Sequence, residues 1–357
     1  MIIGKLLSRM VALRFLVILT GISIFVITLD IAVNVNDVLK VNNGEVSGLA
    51  HYALLRLPAT ASTFLAMSVL LALLLTLMEL SYHSETTAIW ATGTSPIGVI
   101  LMLLPLGAVL GTINFAVNDL AVPKAAPILH KWGIGDYRNK QLNIGEKDPI
   151  WMRSGTDILR AGDANTQATE LKDVVIFRRD AEGLLIEQVL AERAQLINGR
   201  WELSNVVVYY QENLPPNRLD TLIYSGSLRP AAAGARSGDP DEMTIGDLGY
   251  FIANSGFGIR PAHVYQTWWH KRITLFFSAY LMIAICVPLA ARFRRGGGIG
   301  VLFFIGVALG FVFFVFEGIS ITLGELGLMP PWMAAWLPPL IFAGITATML
   351  LRAEAIA

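Results

Sequence analysis

Six long apolar runs constrain the fold of this chain more than any other feature of its sequence. A helix needs about 20 predominantly apolar residues to cross the hydrocarbon core of a membrane, and each run approaches that length. Three runs precede a long polar segment and three follow it. The pattern therefore predicts six transmembrane helices and one large inserted domain. The runs cover roughly residues 11–33, 58–77, 96–118, 273–290, 299–323 and 332–351.

The same pattern predicts a division of the chain into three parts. Residues 1–118 hold helices 1–3, together with a short cytoplasmic helix near 82–93. Residues 119–268 form the inserted domain, and residues 269–357 hold helices 4–6. The first run follows a basic segment and lacks a small-residue cleavage site, so we expect it to be retained as a helix and not removed as a signal peptide.

Basic residues at the ends of the runs predict the orientation, because cytoplasmic flanks carry an excess of lysine and arginine. Lys271 and Arg272, at the opposite end of the fourth run, oppose the assignment, and Lys40 and Arg56 oppose it more weakly. The balance favours cytoplasmic termini and a periplasmic inserted domain. The residues on the cytoplasmic side are Lys5, Arg9, Arg14, Arg292, Arg294, Arg295 and Arg352.

The inserted domain reads as all-β. Residues 173–213 contain short runs rich in β-branched and aromatic residues, broken by the turn sequences DAEG and NGR. Such spacing is typical of a sandwich, a jelly roll or a curved sheet, and we expect a jelly-roll-like domain. Val206, Val208 and Tyr210 share one face of a strand, while Val207 and Tyr209 share the other. A short helix is expected within residues 243–256.

Motifs for an enzyme are missing from the sequence. It contains no Walker A loop, no HExxH and no GxSxG, and its 5 histidines show no metal-ligand spacing. Cys286 is the single cysteine, so an intrachain disulfide is excluded. The formal net charge of +0 gives no general attraction to nucleic acid. We therefore expect no catalytic residues, no cofactor, no bound metal and no nucleic-acid partner.

The segment SETTAIWATGTSP between the second and third runs predicts a short helix at the cytoplasmic face. Ser84 is a suitable N-cap, and Glu85 lies in the first turn, where the helix dipole favours a negative charge. Ile89 and Trp90 follow on this helix, and Gly93 suits its end. The helix either docks into a soluble partner or is an ordinary amphipathic connection, and the pattern leaves both readings open.

Four cations are expected near the outer ends of the helices: Lys40, Arg56, Lys124 and Lys131. Cations at this level are able to pair with lipid phosphate groups. They are also able to act as interfacial anchors whose long stems reach water, and for any one of them this reading is favoured. Both interpretations stay open on the sequence alone.

Together these features resemble the LptF/LptG permeases of the lipopolysaccharide exporter of Gram-negative bacteria. The resemblance covers essentially the whole chain, including the three-plus-three arrangement, SETTAIWATGTSP, WELSNV and PLAARFRRGGGIG. The C-terminal run MPPWMAAWLPPLIF resembles the G-type subunit.

The resemblance implies a transport subunit without its own ATPase activity. Its implied partners are a homologous LptF-like permease subunit, a cytoplasmic LptB-like ATPase dimer, a single-span LptC-like gating subunit and lipopolysaccharide. It places Ser84, Glu85, Ile89 and Trp90 at the ATPase and makes the β domain part of a lipid path that includes Val206, Val208 and Tyr210. A permease for another lipid or lipoprotein cargo, or a membrane-anchored scaffold protein, is the alternative.

Overall fold

The computed structural model describes residues 2–41, 45–83, 85, 94–139, 150–164, 169–180, 182–210, 214–226, 239–253, 260–292 and 299–354. The chain divides into two compact units, which are described separately below. The first contains Met1–Ala125 and Thr267–Ala357, and the second contains Ala126–Gln266.

The first unit is a helix bundle. Among the described residues, six helices are long and apolar enough to cross a membrane, three before the inserted domain and three after it. The predicted number and order of spans are therefore confirmed. In chain order the helices are α1 (Ile2–Val41), α2 (Ser47–Tyr82), α3 (Pro96–Ala116), α7 (Ala262–Arg292), α8 (Ile299–Glu325) and α9 (Pro331–Glu354).

Glycines allow the helices of the bundle to approach closely. A methyl group added at Gly306 or Gly310 of α8 would collide with the side chains of Leu74 and Leu70 on α2. The two glycines are four residues apart, a small-xxx-small spacing that lets helix backbones meet in membranes. At Gly111 of α3, an added methyl group would collide with a backbone carbonyl of α7. Close packing therefore holds these helices together, and the leucine side chains of α2 occupy the space beside the two glycines of α8.

A π-helical turn interrupts the helix that leaves α3, and a proline explains it. The turn covers Val117–Ala121 and is followed by α4 (Val122–Trp132). The amide of Val122 bonds the carbonyl of Val117, which shifts the hydrogen-bond ladder by one residue. The carbonyl of Asn118 would next bond residue 123, but Pro123 has no amide hydrogen. Its oxygen instead accepts a bond from Arg272 Nη1 of α7 at 2.8 Å.

The second unit contains one antiparallel sheet of six described strands in the order β1-β2-β3-β4-β5-β6. Each strand pairs with its neighbour in sequence, so the described strands form a meander without Greek-key crossovers. Of the alternatives left open by the sequence (a sandwich, a jelly roll or a curved sheet), the described strands correspond to a single curved sheet. The strands are β1 (Ile150–Ser154), β2 (Asp157–Ala164), β3 (Glu170–Arg179), β4 (Leu185–Ile197), β5 (Arg200–Tyr210) and β6 (Asn217–Tyr224).

The turn between β4 and β5 has the geometry that its sequence predicts. Asn198 and Gly199 have φ angles of 51° and 79°. Positive φ at both central residues is the signature of a type I′ turn, whose twist matches that of the paired strands. Ile197 and Arg200 pair on either side of it.

One face of the sheet forms the apolar core of the second unit, and the sheet curls around it. The hydroxyl of Tyr224, the last residue of β6, donates to Asp157 Oδ2 at the start of β2 at 3.0 Å. This bond connects the strands at opposite sides of the sheet, which requires strong curvature. Burial raises the pKa of Tyr224, and the neighbouring Asp157 carboxylate raises it further. The hydroxyl therefore stays protonated and remains a donor. The core residues include Leu159, Val174, Ile176, Val189, Trp201, Leu203, Val206 and Val208.

Short helices complete the second unit. They are α5 (Asp136–Asn139), a 3₁₀ turn (Pro240–Glu242) and α6 (Ile245–Ala253). The helix expected within residues 243–256 is thus confirmed. Tyr250 of α6 donates to the backbone oxygen of Arg153 in β1 at 2.8 Å, which fixes the helix against the sheet.

Candidate functional site

The segment with the predicted coupling helix lies mostly outside the described residues. Ser84, Ile89 and Trp90 are among those not described, whereas Glu85 is helical and exposed. Helix α2 ends at Tyr82, and α3 begins after Ser95 as its N-cap, whose Oγ accepts a bond from the amide of Gly98 at 3.2 Å. Pro96 occupies the first helical position, where its missing amide hydrogen costs nothing. The helix ends on both sides of the segment are therefore well defined.

An ion pair fixes the helix that leads into this segment. Arg14 of α1 pairs with Glu79 in the last turn of α2. Glu79 also accepts, through its backbone oxygen, the capping bond from His83 at 3.1 Å. The end of α2 is thus tied to α1, and Glu85 lies three residues beyond that end. Partly exposed pairs of this kind add little stability but can set the position of a helix end.

The four predicted phosphate-binding cations have different surroundings. Lys124 and Lys131 are exposed on α4. Lys40 is exposed in the last turn of α1 and lies 3.5 Å from Asp37. Arg56, in contrast, is mostly buried and paired with Asp30 of α1. The structure therefore separates three exposed cations from Arg56, which is largely buried together with its paired anion.

The Arg56 pair belongs to a polar cluster between α1 and α2. Arg56 Nε lies 2.7 Å from Asp30 Oδ2, and the hydroxyl of Tyr52 donates to the same oxygen at 2.9 Å. Asn34 Nδ2 donates to Asp30 Oδ1 at 3.0 Å. Both carboxylate oxygens are thus satisfied. We call Asp30, Asn34, Tyr52 and Arg56 the Asp30 cluster.

A second polar cluster joins α2, α3 and α7 inside the bundle. Ser62 Oγ donates to Asn114 Oδ1 at 2.8 Å, and Asn114 Nδ2 lies 3.4 Å from Ser278 Oγ. Asn118 contacts Ser62, and its carbonyl receives the bond from Arg272 described above. In hydrocarbon, such groups are found where they bond one another. The cluster therefore fixes the three helices relative to each other.

An ion pair within the apolar helices connects α7 and α8. Lys271 pairs with Glu317, and their side chains are 13% and 16% exposed. One turn away, Trp268 Nε1 donates to Glu325 Oε1 at 2.6 Å. Charged residues inside membrane spans are costly unless paired, so each charge here depends on its partner.

In the β domain, the structure separates the three residues of the predicted lipid path. Val206 and Val208 are buried in the apolar core of the sheet, at 1% and 5% exposure. Tyr210, at the end of the same strand, is exposed. The interior of the sheet is thus apolar at Val206 and Val208, while Tyr210 marks its edge.

Three acidic residues come close enough to suggest a metal site, but basic side chains of the protein already contact two of them. The carboxylates of Asp239, Asp241 and Glu242 lie within 4.8 Å of one another. Arg260 Nη2 donates to Asp239 at 2.7 Å, and His130 Nε2 lies 2.6 Å from Glu242. The group is best described as a polar network that connects α4, the 3₁₀ turn and Arg260, two residues before α7, in the second unit.

The sequence analysis did not single out Asp30, Asn114 or Glu317. Each is a polar or charged residue inside or at the end of a strongly apolar helix. That position is itself a signal, because an ionisable residue in a membrane span is costly and usually paired. The sequence does not predict which residue pairs with each of them, because that residue belongs to a different helix.

Six apolar helices, three before and three after an inserted antiparallel sheet in the chain, define an integral membrane protein with an inserted β domain. Comparison with known proteins makes the assignment more specific. The family described as "Lipopolysaccharide export system permease LptF/LptG" matches residues 5–352. The chain therefore belongs to the LptF/LptG family of permeases, which are transport subunits.

Two curated relatives are similar over almost their whole length. The lipopolysaccharide export system permease protein LptG of Escherichia coli strain K12 is 24% identical over 360 residues, covering 98% of this chain and 97% of the relative. LptG of Escherichia coli O6:H1 strain CFT073 gives the same values. The G-type resemblance inferred from the C-terminal run agrees with these matches.

Proposed function

We propose that this chain is a permease subunit of an ABC-type exporter that extracts lipopolysaccharide from the inner membrane. It acts with an LptF-like subunit, an LptB-like ATPase dimer and an LptC-like gating subunit, and it passes lipid toward a periplasmic β-jelly-roll bridge. The observation that carries the proposal is the family match, which runs through both helix triplets and the inserted sheet. The sequence has no nucleotide loop, so the energy must come from a partner.

Co-purification from native membranes tests the proposal directly. We expect the tagged chain to carry an ATPase, a second permease subunit and lipopolysaccharide, the last identified by mass spectrometry. A different lipid or a lipoprotein in place of lipopolysaccharide would identify a permease for another cargo. A chain that carries neither an ATPase nor lipid would support the scaffold alternative and contradict transport.

The orientation proposed here has both termini in the cytoplasm and the β domain in the periplasm. Cysteines introduced at positions 45 and 165 should react with a membrane-impermeant thiol reagent in intact spheroplasts. A cysteine at position 295 should react only after permeabilisation. Labelling at 295 but not at 165 would invert the orientation.

The coupling role rests on Glu85, which is exposed just beyond the end of α2. We propose that its carboxylate accepts a charge-assisted bond from a basic residue of the ATPase. Removal of one partner from such a pair costs on the order of 2–5 kcal/mol when it is buried at an interface. Glu85→Ala should therefore weaken ATPase co-purification and transport but leave membrane insertion intact.

Two further variants define the coupling test. Glu85→Gln should also be defective, because it keeps the size of the side chain but not its charge. Thr87→Ala, on a different side of the predicted helix, should be nearly neutral. Full ATPase association in Glu85→Ala would show that the segment is an ordinary connection.

The β-domain route is proposed from the apolar interior of the sheet. A photo-crosslinking residue placed in turn at positions 206–210 should capture lipid at Val206 and Val208, whose side chains line that interior. Val207 and Tyr209, on the other face, should capture none. Tyr210 lies at the edge and tests whether the route extends beyond the buried part of β5. Absence of crosslinks at all five positions would exclude this sheet from the route.

A further inference from the structure

The Asp30 cluster supplies Arg56 with an anion from within the protein. Asp30 and Arg56 are 17% and 18% exposed, so the pair is largely buried between α1 and α2 but still in contact with the surroundings. Tyr52 and Asn34 orient the carboxylate by donating to its two oxygens. The cation is therefore neutralised before any lipid arrives, whereas Lys124 and Lys131 are exposed on α4.

A carboxylate and a phosphate group compete for the same guanidinium. Arginine forms charge-assisted bonds with both, and the planar fork of its donors suits either anion. A phosphate that approaches Arg56 must therefore displace Asp30 or share the cation with it. Tyr52 and Asn34 still donate hydrogen bonds to Asp30 when a phosphate takes its place at Arg56. The displaced carboxylate is therefore not left without hydrogen-bond partners.

We propose that Asp30 is an exchangeable counter-ion that sets how strongly Arg56 holds a phosphorylated lipid. It weakens binding enough for the lipid to be released again, and it excludes lipids whose headgroup lacks a phosphate able to compete. The inference rests on the proposed function, because it assumes that phosphorylated lipid reaches this end of the bundle. The proposal assigns a negatively charged residue, Asp30, to a phosphate-binding site for which only cations were expected.

The test uses the full chain, purified with its partner subunits and reconstituted into nanodiscs. The probes are lipopolysaccharide and the same material after enzymatic removal of its phosphates. Lipid retained after washing is measured by mass spectrometry over a range of lipid concentrations. Asp30→Asn should retain phosphorylated lipid about tenfold more tightly, which is the size of one charge-assisted hydrogen bond. Retention of the dephosphorylated lipid should not change.

Three further variants separate this effect from a structural one. Asp30→Glu keeps the charge and should bind like the natural chain. Glu45→Gln removes a carboxylate from the same end of the bundle, where Glu45 accepts a bond from Ser47 at 2.9 Å, and it should also bind like the natural chain. Asp30→Asn combined with Arg56→Gln leaves no uncompensated charge, so it tests the idea even if Asp30→Asn alone does not assemble. This double variant should not show the tighter retention expected for Asp30→Asn, and it should hold phosphorylated lipid more weakly than the natural chain does.

Several outcomes would overturn the inference. The pair would be a purely structural tie between α1 and α2 if Asp30→Asn changed the retention of both lipids equally, changed neither, or selectively weakened retention of the phosphorylated lipid. A natural chain that retains lipopolysaccharide without any preference for its phosphates would also overturn it. A natural chain that retains neither lipid would instead contradict the proposed function.

Discussion

Gly111→Ala should separate α3 from α7 and destabilise the helix bundle. An added methyl group would lie closer than 3.0 Å to the carbonyl oxygen of Phe276, with the carbonyl carbon at 3.2 Å. The obstacle is backbone, so no side-chain rotation relieves it. One of the two helices must move, and the bonds from Asn114 to Ser278 and to the Leu275 carbonyl, at 3.4 and 3.5 Å, are already near their limit.

The expected loss of stability follows from these two contributions. Overpacking a close helix contact costs about 1–3 kcal/mol. Each interhelical hydrogen bond in a membrane protein contributes about 0.6 kcal/mol. Overpacking and the loss of both Asn114 bonds together give about 2–4 kcal/mol. Equilibrium unfolding of the chain in mixed micelles, followed by tryptophan fluorescence, measures it.

Two other glycines provide matched controls. Gly107 lies one turn earlier on α3, where an added methyl group would meet the ring of Tyr280 at 2.9 Å. A ring is able to rotate away, so Gly107→Ala should cost less than Gly111→Ala. Gly318 has no atom within 4 Å of an added methyl group, and Gly318→Ala should be neutral or slightly stabilising, since alanine favours helix. Equal stability of all three variants would refute the argument from close packing.

Three further predictions follow from the polar contacts. Tyr224→Phe should lower the free energy of unfolding by about 1 kcal/mol at neutral pH. Burial raises the pKa of Tyr224 in the folded state, so only the unfolded chain ionises this hydroxyl as the pH rises above about 10. The natural chain should therefore lose stability more steeply than the variant above that pH. Lys271→Met should cost about 3 kcal/mol because it leaves Glu317 without its cation, and adding Glu317→Gln should recover most of it. Arg272→Met should be tolerated better in a Pro123→Ala background, by about 1 kcal/mol, because alanine provides the amide that proline lacks. Unfolding measurements check all three, and simple additivity in the double variants would contradict the last two.

The sequence by itself determined the layout of the protein. Apolar runs of membrane length can be satisfied only by helices that bond their own backbone, so the number and order of spans were readable without a structure. The turn at Asn198 and Gly199 was readable for a similar local reason, since few residue pairs accept two positive φ angles. The prediction for Glu85 rests on helix-capping chemistry, which also depends on neighbouring residues alone.

Only the tertiary structure decided which polar residues meet. Arg56 was expected as a phosphate-binding cation, but its nearest anion, Asp30, lies 26 residues away in the chain. The bond from Arg272 to the Asn118 carbonyl spans 154 residues. That carbonyl is available to Arg272 because Pro123 has no amide hydrogen with which to bond it. The meander of the sheet, and its curvature to bring Tyr224 to Asp157, likewise depend on pairing between strands. Such contacts arise when helices and strands pack, and the order of residues along one element does not encode them.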